Sequence, residues 1–303
     1  VVLCILLACF MFGAAYAADP ESVAPPCDSQ GRYLLSNPGH LLYLSENWGK
    51  AGAPRDGYYA LTQDIDMQGI KGFAPIGKDK ENCLLGTLDG QNHAIKNLYI
   101  NKPGKKYVAL FGYVGNDFVE AHIKNLALID IKVVGTQNVG SFAGVSYGTI
   151  ENCFVTGFLM DDQGSNAQTV GGIVGKNKEG EIVVGLIKNC YADVKIEGSF
   201  NLGGIAGQED GGGIIEDCFA AGTILAKSPN GAAGGIVGAF NAGQAVIRNV
   251  SLMKWIKGEK DTDKIIGQLY DESGEQIKEN VSWEGMRIIG NEPEIQPVIW
   301  EEA

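Results

Sequence analysis

The chain has 303 residues and a formal net charge of −12; 45% of its residues are hydrophobic and 20% are charged. This composition is ordinary for a soluble protein that is long enough to bury a large core. The acidic balance and the lack of a basic stripe argue against nucleic acid as a partner. A cluster formed by Lys102, Lys105 and Lys106 is more typical of a solvated loop than of a binding patch.

The N-terminal segment has the character of a secretory signal. Residues 1–18 carry no charge and are almost wholly apolar, and "AYA" at 15–17 supplies the small residues that signal peptidase requires. We therefore predict a signal peptide over residues 1–17, cleaved near Ala17, and a secreted or cell-surface protein. An uncleaved membrane anchor and a lipid-modified Cys9 are the alternatives. No other segment is apolar for long enough to span a membrane, so the mature chain is expected not to span one.

The next part of the chain is predicted to form a cap and the first coils. Residues 18–30 are polar and proline-rich, which favours a linker, and residues 31–106 follow as the N-terminal unit. Within that unit, Leu41, Leu42 and Leu44 give a short helix its apolar face. "GYYALTQDIDMQG" alternates like a strand, and "LDGQN" favours a tight turn.

Residues 107–290 contain a repeat. "VGSFAG", "VGGIVG", "LGGIAG" and "AGGIVG" recur with steps of 31, 32 and 31 residues between their second positions. Each is followed by a second phrase: "IENCFV", "IKNCYA", "IEDCFA" or "IRNVSL". A fixed period of this size indicates units that must stack in order to bury their apolar faces. The tail, residues 291–303, is predicted to be an extended exit.

The alternation of residue types within one repeat predicts strands and corners. From Cys190 onward, small and apolar residues alternate with charged ones such as Asp193 and Lys195, which gives the period of a strand. Burying those charges would be costly, so the face that carries the cysteine is predicted to point inward. Asn and Asp tolerate left-handed backbone, so a corner is expected at each of Asn97, Asn125, Asn152, Asn189, Asp217 and Asn249. Stacked corner amides are expected to form a hydrogen-bonded ladder.

These features predict an all-β fold. Short strands joined by sharp corners, in coils of about 30 residues, stack into a β-solenoid of about seven coils. The form we expect is a right-handed parallel β-helix with a short N-terminal cap. A β-propeller or a β-sandwich is the alternative, although a propeller blade usually needs about 40 residues and four strands.

The repeat phrases resemble a known family. "VGGIVGKN", "LGGIAG" and "AGGIVG", each followed by I-x-[ND]-C, are similar to the GLUG-motif repeats of bacterial surface proteins. Those proteins include the N-terminal region of immunoglobulin A-specific metallopeptidases. The resemblance covers roughly residues 31–290 and also includes the lead-in "YALTQDIDM" and "FAPIG". It implies a secreted or surface-exposed repeat domain with no known activity of its own. The HExxH zinc motif is missing, so the peptidase activity is not carried over.

The sequence offers no catalytic constellation. His40, His93 and His122 lack ligand-like spacing, and the adjacent pair Asp161 and Asp162 lies in "MDDQGSN", where we expect a solvated loop. No metal site, cofactor site or catalytic site is therefore predicted. We expect a non-catalytic module for adhesion, binding or scaffolding, with a glycan or a protein as its partner. A polysaccharide lyase or hydrolase on the same fold is the alternative, which fold analogy alone supports.

Two stacks of side chains are predicted. Cys153, Cys190 and Cys218 are expected to point inward as buried free thiols, with Leu126 and Val250 as their aliphatic counterparts. The residues that follow the cysteines are expected to point outward as a candidate ligand-contact strip: Phe154, Tyr191 and Phe219. Ala127 and Ser251 are expected to end this strip. Either the strip is a contact site, or a loop at 160–169 or 226–232 covers it.

Overall fold

The computed structural model describes residues 20–162, 168–241, 245–270 and 277–289. The predicted signal peptide with Cys9 and Ala17, and the predicted tail at 291–303, lie outside these residues. The described part contains one helix, α1 (Pro38–Asn47), and is otherwise built from strands. At ten residues, α1 is not long and apolar enough to cross a membrane.

The strands of the first half are β1 (Arg32–Leu35), β2 (Tyr58–Leu61), β3 (Ile65–Asp66), β4 (Thr87–Asp89), β5 (Ala94–Lys96), β6 (Tyr99–Asn101), β7 (Lys106–Val108), β8 (Phe111–Val114), β9 (His122–Lys124), β10 (Ala127–Gly135), β11 (Gln137–Val139), β12 (Ala143–Ser146), β13 (Thr149–Glu151) and β14 (Phe154–Asp161).

The strands of the second half are β15 (Thr169–Gly171), β16 (Val174–Lys178), β17 (Leu186–Lys188), β18 (Tyr191–Gly198), β19 (Asn201–Gly203), β20 (Ala206–Asp210), β21 (Ile214–Glu216), β22 (Phe219–Ala226), β23 (Ala233–Gly234), β24 (Val237–Phe240), β25 (Val246–Ile247), β26 (Val250–Lys257), β27 (Thr262–Asp263), β28 (Ile266–Leu269), β29 (Ile277–Lys278), β30 (Val281–Ser282) and β31 (Arg287–Ile289).

The strands form four parallel sheets that run along the stack. The first sheet has the order β1-β2-β4-β9-β13-β17-β21-β25-β29. The second has the order β3-β5-β10-β14-β18-β22-β26-β30, with β6 beside β10 and β31 beside β26. The third runs from β7 to β27 and the fourth from β8 to β28. Each complete coil gives one strand to every sheet, so the predicted β-solenoid of about seven coils is confirmed. Its right-handed winding stays a prediction.

One continuous core runs through the coils. It is lined by aliphatic residues at equivalent positions, such as Ile123, Ile150, Ile187 and Ile215, all of them fully buried. The predicted helix is confirmed as α1, which adds Leu41 and Leu44 to the same core. The Asn37 side chain caps the N-terminus of α1 by accepting a hydrogen bond from the His40 amide.

Five of the six predicted corners are confirmed. Asn97, Asn125, Asn152, Asn189 and Asp217 all have a left-handed backbone, with φ between 50° and 56°. The predicted amide ladder also forms, because Asn189 donates to Asn152 over 3.4 Å and Asn152 donates to Asn125 over 3.3 Å. Asn125 continues it by donating to an Asp89 carboxylate oxygen over 3.2 Å.

The sixth corner prediction is wrong. Arg248 has the left-handed backbone (φ 55°), and Asn249 is fully buried. The register explains the shift, since Val246 rather than Ile247 pairs with Ile215. Asn249 is therefore the counterpart of Cys218, in place of the predicted Val250. Its Oδ1 accepts a hydrogen bond from the Cys218 amide at 2.9 Å.

The cysteine stack is buried as predicted. Cys153, Cys190 and Cys218 are free thiols with at most 2% exposure. Each sulfur lies 3.4–3.8 Å from a backbone carbonyl oxygen of the preceding coil. Burial raises the pKa of the Cys153 and Cys218 thiols well above the ordinary value.

These thiols are expected to be unreactive in the native protein. A thiol reagent should label the exposed Cys27 in the folded state and the three stacked cysteines only after unfolding, because their buried sulfur atoms are out of reach of the reagent. Mass mapping of labelled peptides before and after denaturation checks this. A Cys153–Cys190 or Cys190–Cys218 disulfide in the non-reduced map would refute it.

Candidate functional site: an aromatic face on the second sheet

The three residues of the predicted contact strip stand in one row. Phe154, Tyr191 and Phe219 are the first residues of β14, β18 and β22. The parallel register pairs Phe154 with Tyr191 and Tyr191 with Phe219. We name these three residues the aromatic row. Because side chains alternate along a strand, the row points away from the core that the following residues, Val155, Ala192 and Ala220, help to fill.

The rings of the row are accessible to different degrees. The Phe154 and Tyr191 rings are stacked, with centroids 5.2 Å apart and an interplanar angle of 14°. Both are partly buried, whereas Phe219 is 44% exposed. The loop at 226–232 lies wholly within the described residues, and Phe219 is still 44% exposed, so this loop does not cover its ring. Part of the other candidate cover, the loop at 160–169, lies outside the described residues.

The hydroxyl of Tyr191 is set up for hydrogen bonding. Partial burial, with the nearby Asp193 carboxylate, raises the pKa of this phenol above its ordinary value. The phenol is protonated at neutral pH, where it can both donate and accept a hydrogen bond. A stacked ring with a polar tip suits a ligand that is part apolar and part hydroxylated.

The ends of the row are Ala127 and Val250. Ala127 pairs with Phe154, as predicted. At the other end Phe219 pairs with Val250, so the prediction of Ser251 is wrong. Ser251 is fully buried and pairs with Ala220 on the inward face. The cause is the same one-residue shift that moves Asn249 off the corner. This shift places the aliphatic Val250 beside Phe219, where the aromatic row ends.

A second row crosses the same sheet face, and the sequence reasoning missed it. In the register of the sheet, Tyr99 pairs with Lys132, Lys132 with Phe158, and Phe158 with Lys195. The Lys132 ammonium lies 5.8 Å from the Tyr99 ring centroid and 5.9 Å from that of Phe158, and the Lys195 ammonium lies 5.5 Å from Phe158. These are cation–π distances. We name these four residues the lysine–aromatic row; Thr223 and Trp255 continue its line.

A shallow trough separates the two rows. Phe154 and Phe158 are four residues apart on one strand, so the rows stand about 13 Å apart. The outward residues between them are the smaller Thr156, Asp193 and Ala221. Larger side chains therefore flank a floor of smaller ones. The floor also carries a carboxylate, since Asp193 is exposed.

The other candidate chemistry is dispersed. His40 lies in α1, His93 in the turn before β5, and His122 in β9. Burial lowers the pKa of the His40 imidazole, which accepts a hydrogen bond from the Ser36 amide. Among the described residues, no group of three or more His, Cys, Asp or Glu side chains could hold a metal ion.

The prediction of a solvated Asp161–Asp162 loop is wrong for Asp161. This residue ends β14 and is 1% exposed. Its carboxylate accepts hydrogen bonds from the Ser199 amide and hydroxyl on the next coil. Asp162 accepts a hydrogen bond from the Gly104 amide. Asp161 therefore connects neighbouring coils, and Asp162 contacts the coil two steps before its own, because buried carboxylates need such partners.

The four parallel sheets, to which each complete coil gives one strand, define the class of protein as a β-solenoid. No family model matches the chain. Part of it is 34% identical over 158 residues to halomucin of Haloquadratum walsbyi, covering 50% of the chain and 2% of halomucin. Another alignment is 31% identical over 164 residues to an immunoglobulin A1 protease of Streptococcus sanguinis, covering 51% of the chain and 8% of that protease. The chain thus spans a small fraction of the length of these curated relatives.

A solved structure has the same fold. It is the crystal structure of a Bacteroides ovatus protein that carries the provisional name immunoglobulin A1 protease. The match has a TM-score of 0.69 with 22% sequence identity, and it covers 91% of this chain and 82% of the other. At this identity the likeness supports the solenoid architecture and carries no activity with it.

Proposed function

We propose that this chain is a non-catalytic, secreted or cell-surface repeat module that binds a glycan or a protein through the aromatic row. The observation that carries the proposal is the outward row of Phe154, Tyr191 and Phe219 in register, in which the first two rings stack and Phe219 is 44% exposed. Contiguous exposed aromatic surface is typical of contact sites, and stacked rings suit the apolar faces of sugars.

The relatives support the extracellular setting of the proposal. One relative is named an immunoglobulin A1 protease, after an antibody, and the alignment with it covers 51% of this chain. Because that alignment covers only 8% of the protease, we carry over the setting and leave the proteolytic activity with the relative. The GLUG-type repeat and the cleavage near Ala17 belong to the same proposal, as does the absence of catalysis.

Tyr191→Ala and Phe219→Ala are each expected to weaken binding strongly and to keep the melting temperature within a few degrees of wild type. Phe219 is 44% exposed and Tyr191 is partly buried, so removal of either ring leaves a smaller cavity than removal of a fully covered ring, which would cost about 3 kcal/mol or more. A glycan array that also carries mucin and immunoglobulin A measures binding, and circular dichroism measures stability. Phe118→Ala is the matched control, because Phe118 is 56% exposed and lies in a loop outside the second sheet.

Three outcomes would count against the proposal. Equal loss of binding in Phe118→Ala would make the effect unspecific. Large destabilisation by Tyr191→Ala and Phe219→Ala would identify the row as a covered satellite core. Shortening of a bound polysaccharide by the wild-type protein would favour the alternative, a polysaccharide-active enzyme on this fold.

A further inference from the structure

The lysine–aromatic row contains a cation that no carboxylate neutralises. Lys132 is exposed, lies between the Tyr99 and Phe158 rings, and has no ion pair within the described part of the chain. The Lys195 ammonium, on the strand at the other side of β14, lies 5.5 Å from the Phe158 ring centroid and pairs with Glu197 at 2.7 Å. Exposed ammonium groups beside flat rings offer a ligand both a charge and a stacking surface.

The local charge of this face opposes that of the whole chain. On β10, β14, β18, β22 and β26 the exposed or partly exposed charges are Lys132, Lys195, Lys254, Lys257, Asp130, Asp193 and Glu197. Glu197 is further neutralised, since Lys227 contacts its other oxygen at 2.9 Å. The face is therefore weakly cationic in a chain of net charge −12. Its charge is complementary to an anionic ligand.

Resting on the binding role proposed above, we propose that the trough binds an acidic saccharide chain whose sugars carry carboxylates. The chain lies along the stack, between the aromatic row and the lysine–aromatic row. Sugar faces pack on Tyr191 and Phe158, the carboxylates pair with Lys132 and Lys195, and Asp193 accepts hydrogen bonds from hydroxyls. Alternate coils are about 10 Å apart, so the two lysines can reach carboxylates on alternate units of an extended chain.

The test compares two polymers with the same sugar backbone, polygalacturonate and its fully methyl-esterified form, whose ester groups carry no charge. Wild type is expected to bind polygalacturonate at least about tenfold more tightly than the ester, with the preference falling as salt is raised. Lys132→Gln/Lys195→Gln should remove the preference while leaving the weaker binding to the ester. Tyr191→Ala should weaken binding to both polymers, because it removes a stacking surface.

Lys105→Gln/Lys106→Gln is the matched control. It makes the same change in net charge at two exposed lysines outside the second sheet. The control should bind both polymers as wild type does. Equal binding of wild type to both polymers, or a loss in the control equal to that in Lys132→Gln/Lys195→Gln, would overturn the acidic-saccharide inference. The proposed binding role would then be decided separately, by the array results for Tyr191→Ala and Phe219→Ala.

Discussion

Gly203→Ala is expected to destabilise the solenoid by about 3 kcal/mol or more, and to reduce the yield of folded protein. Gly203 ends β19 in the third sheet and pairs with Gly171 and Gly234 on the neighbouring coils. A Cβ added at Gly203 would lie 1.9 Å from the Ala206 carbonyl oxygen and 2.7 Å from the Gly238 amide nitrogen. Both contacts are with backbone, so the coil itself would have to move.

The repeated glycines follow from this geometry. At Gly171 and Gly234 an added Cβ would lie 2.0 and 1.9 Å from the carbonyl oxygen three residues ahead. Each coil therefore makes the same tight corner, and the next coil prevents that corner from relaxing. This is the physical reason why a strand-forming sequence keeps glycine at a fixed period.

Chemical unfolding followed by circular dichroism measures the effect of Gly203→Ala. Gly72→Ala is the matched control, because an added Cβ there would meet no atom within 4 Å. The control should unfold at the wild-type denaturant concentration. A wild-type midpoint for Gly203→Ala would contradict the tight corner.

The fold was predictable because its constraints are local and repeated. The step of about 31 residues, the alternation after each cysteine and the corner asparagines all recur, so one coil determines the next. The shift at Asn249 could not be read in this way. The phrase at 247–252 keeps an isoleucine and an asparagine, yet the register depends on which apolar residue enters the core, and the structure places Val246 there.

The sequence predicts the aromatic row of the candidate site, but it does not predict the lysine–aromatic row. Phe154, Tyr191 and Phe219 directly follow the inward cysteines, so local alternation identifies them. The lysine–aromatic row requires the pairing of β10 with its neighbours. Unbroken alternation from Ala127 would pair Lys132 with the inward Leu159. β10 carries an extra residue between Leu128 and Ile131, and this bulge pairs Lys132 with the outward Phe158 instead.

The interior of the fourth sheet holds a carboxylic acid that the sequence did not reveal. Glu209 is fully buried and pairs in register with Asn177, which is buried as well. Asn177 donates from its amide nitrogen to Glu209 Oε2 over 2.9 Å and to the Gly185 carbonyl over 2.9 Å. Burial raises the pKa of Glu209 to about 8, since the charged form loses its hydration. The folded protein thus holds a proton here at neutral pH.

The unfolding free energy is therefore expected to fall as the pH rises. A glutamate with a raised pKa in the folded state contributes stability that is complete below its unfolded pKa, near 4.5, and is lost as the pH approaches about 8. Between pH 6.5 and 8.5 the loss should be about 2 kcal/mol. His40 and the stacked thiols of Cys153, Cys190 and Cys218 also have shifted pKa values, so the contribution of Glu209 is isolated by comparing wild type with a variant that lacks only this acid.

Glu209→Gln is expected to remove this pH dependence and to be the more stable protein at pH 8.5, because its neutral amide replaces the acid without a charge. Urea unfolding of wild type and variant at pH 6.5 and 8.5 measures the difference. Glu181→Gln is the matched control, since Glu181 is exposed, and it should keep the wild-type dependence. If Glu209→Gln and wild type lose the same stability over this range, Glu209 is ionised in the folded state. The buried carboxylate would then need a partner beyond Asn177, because an unpaired buried charge is too costly to persist.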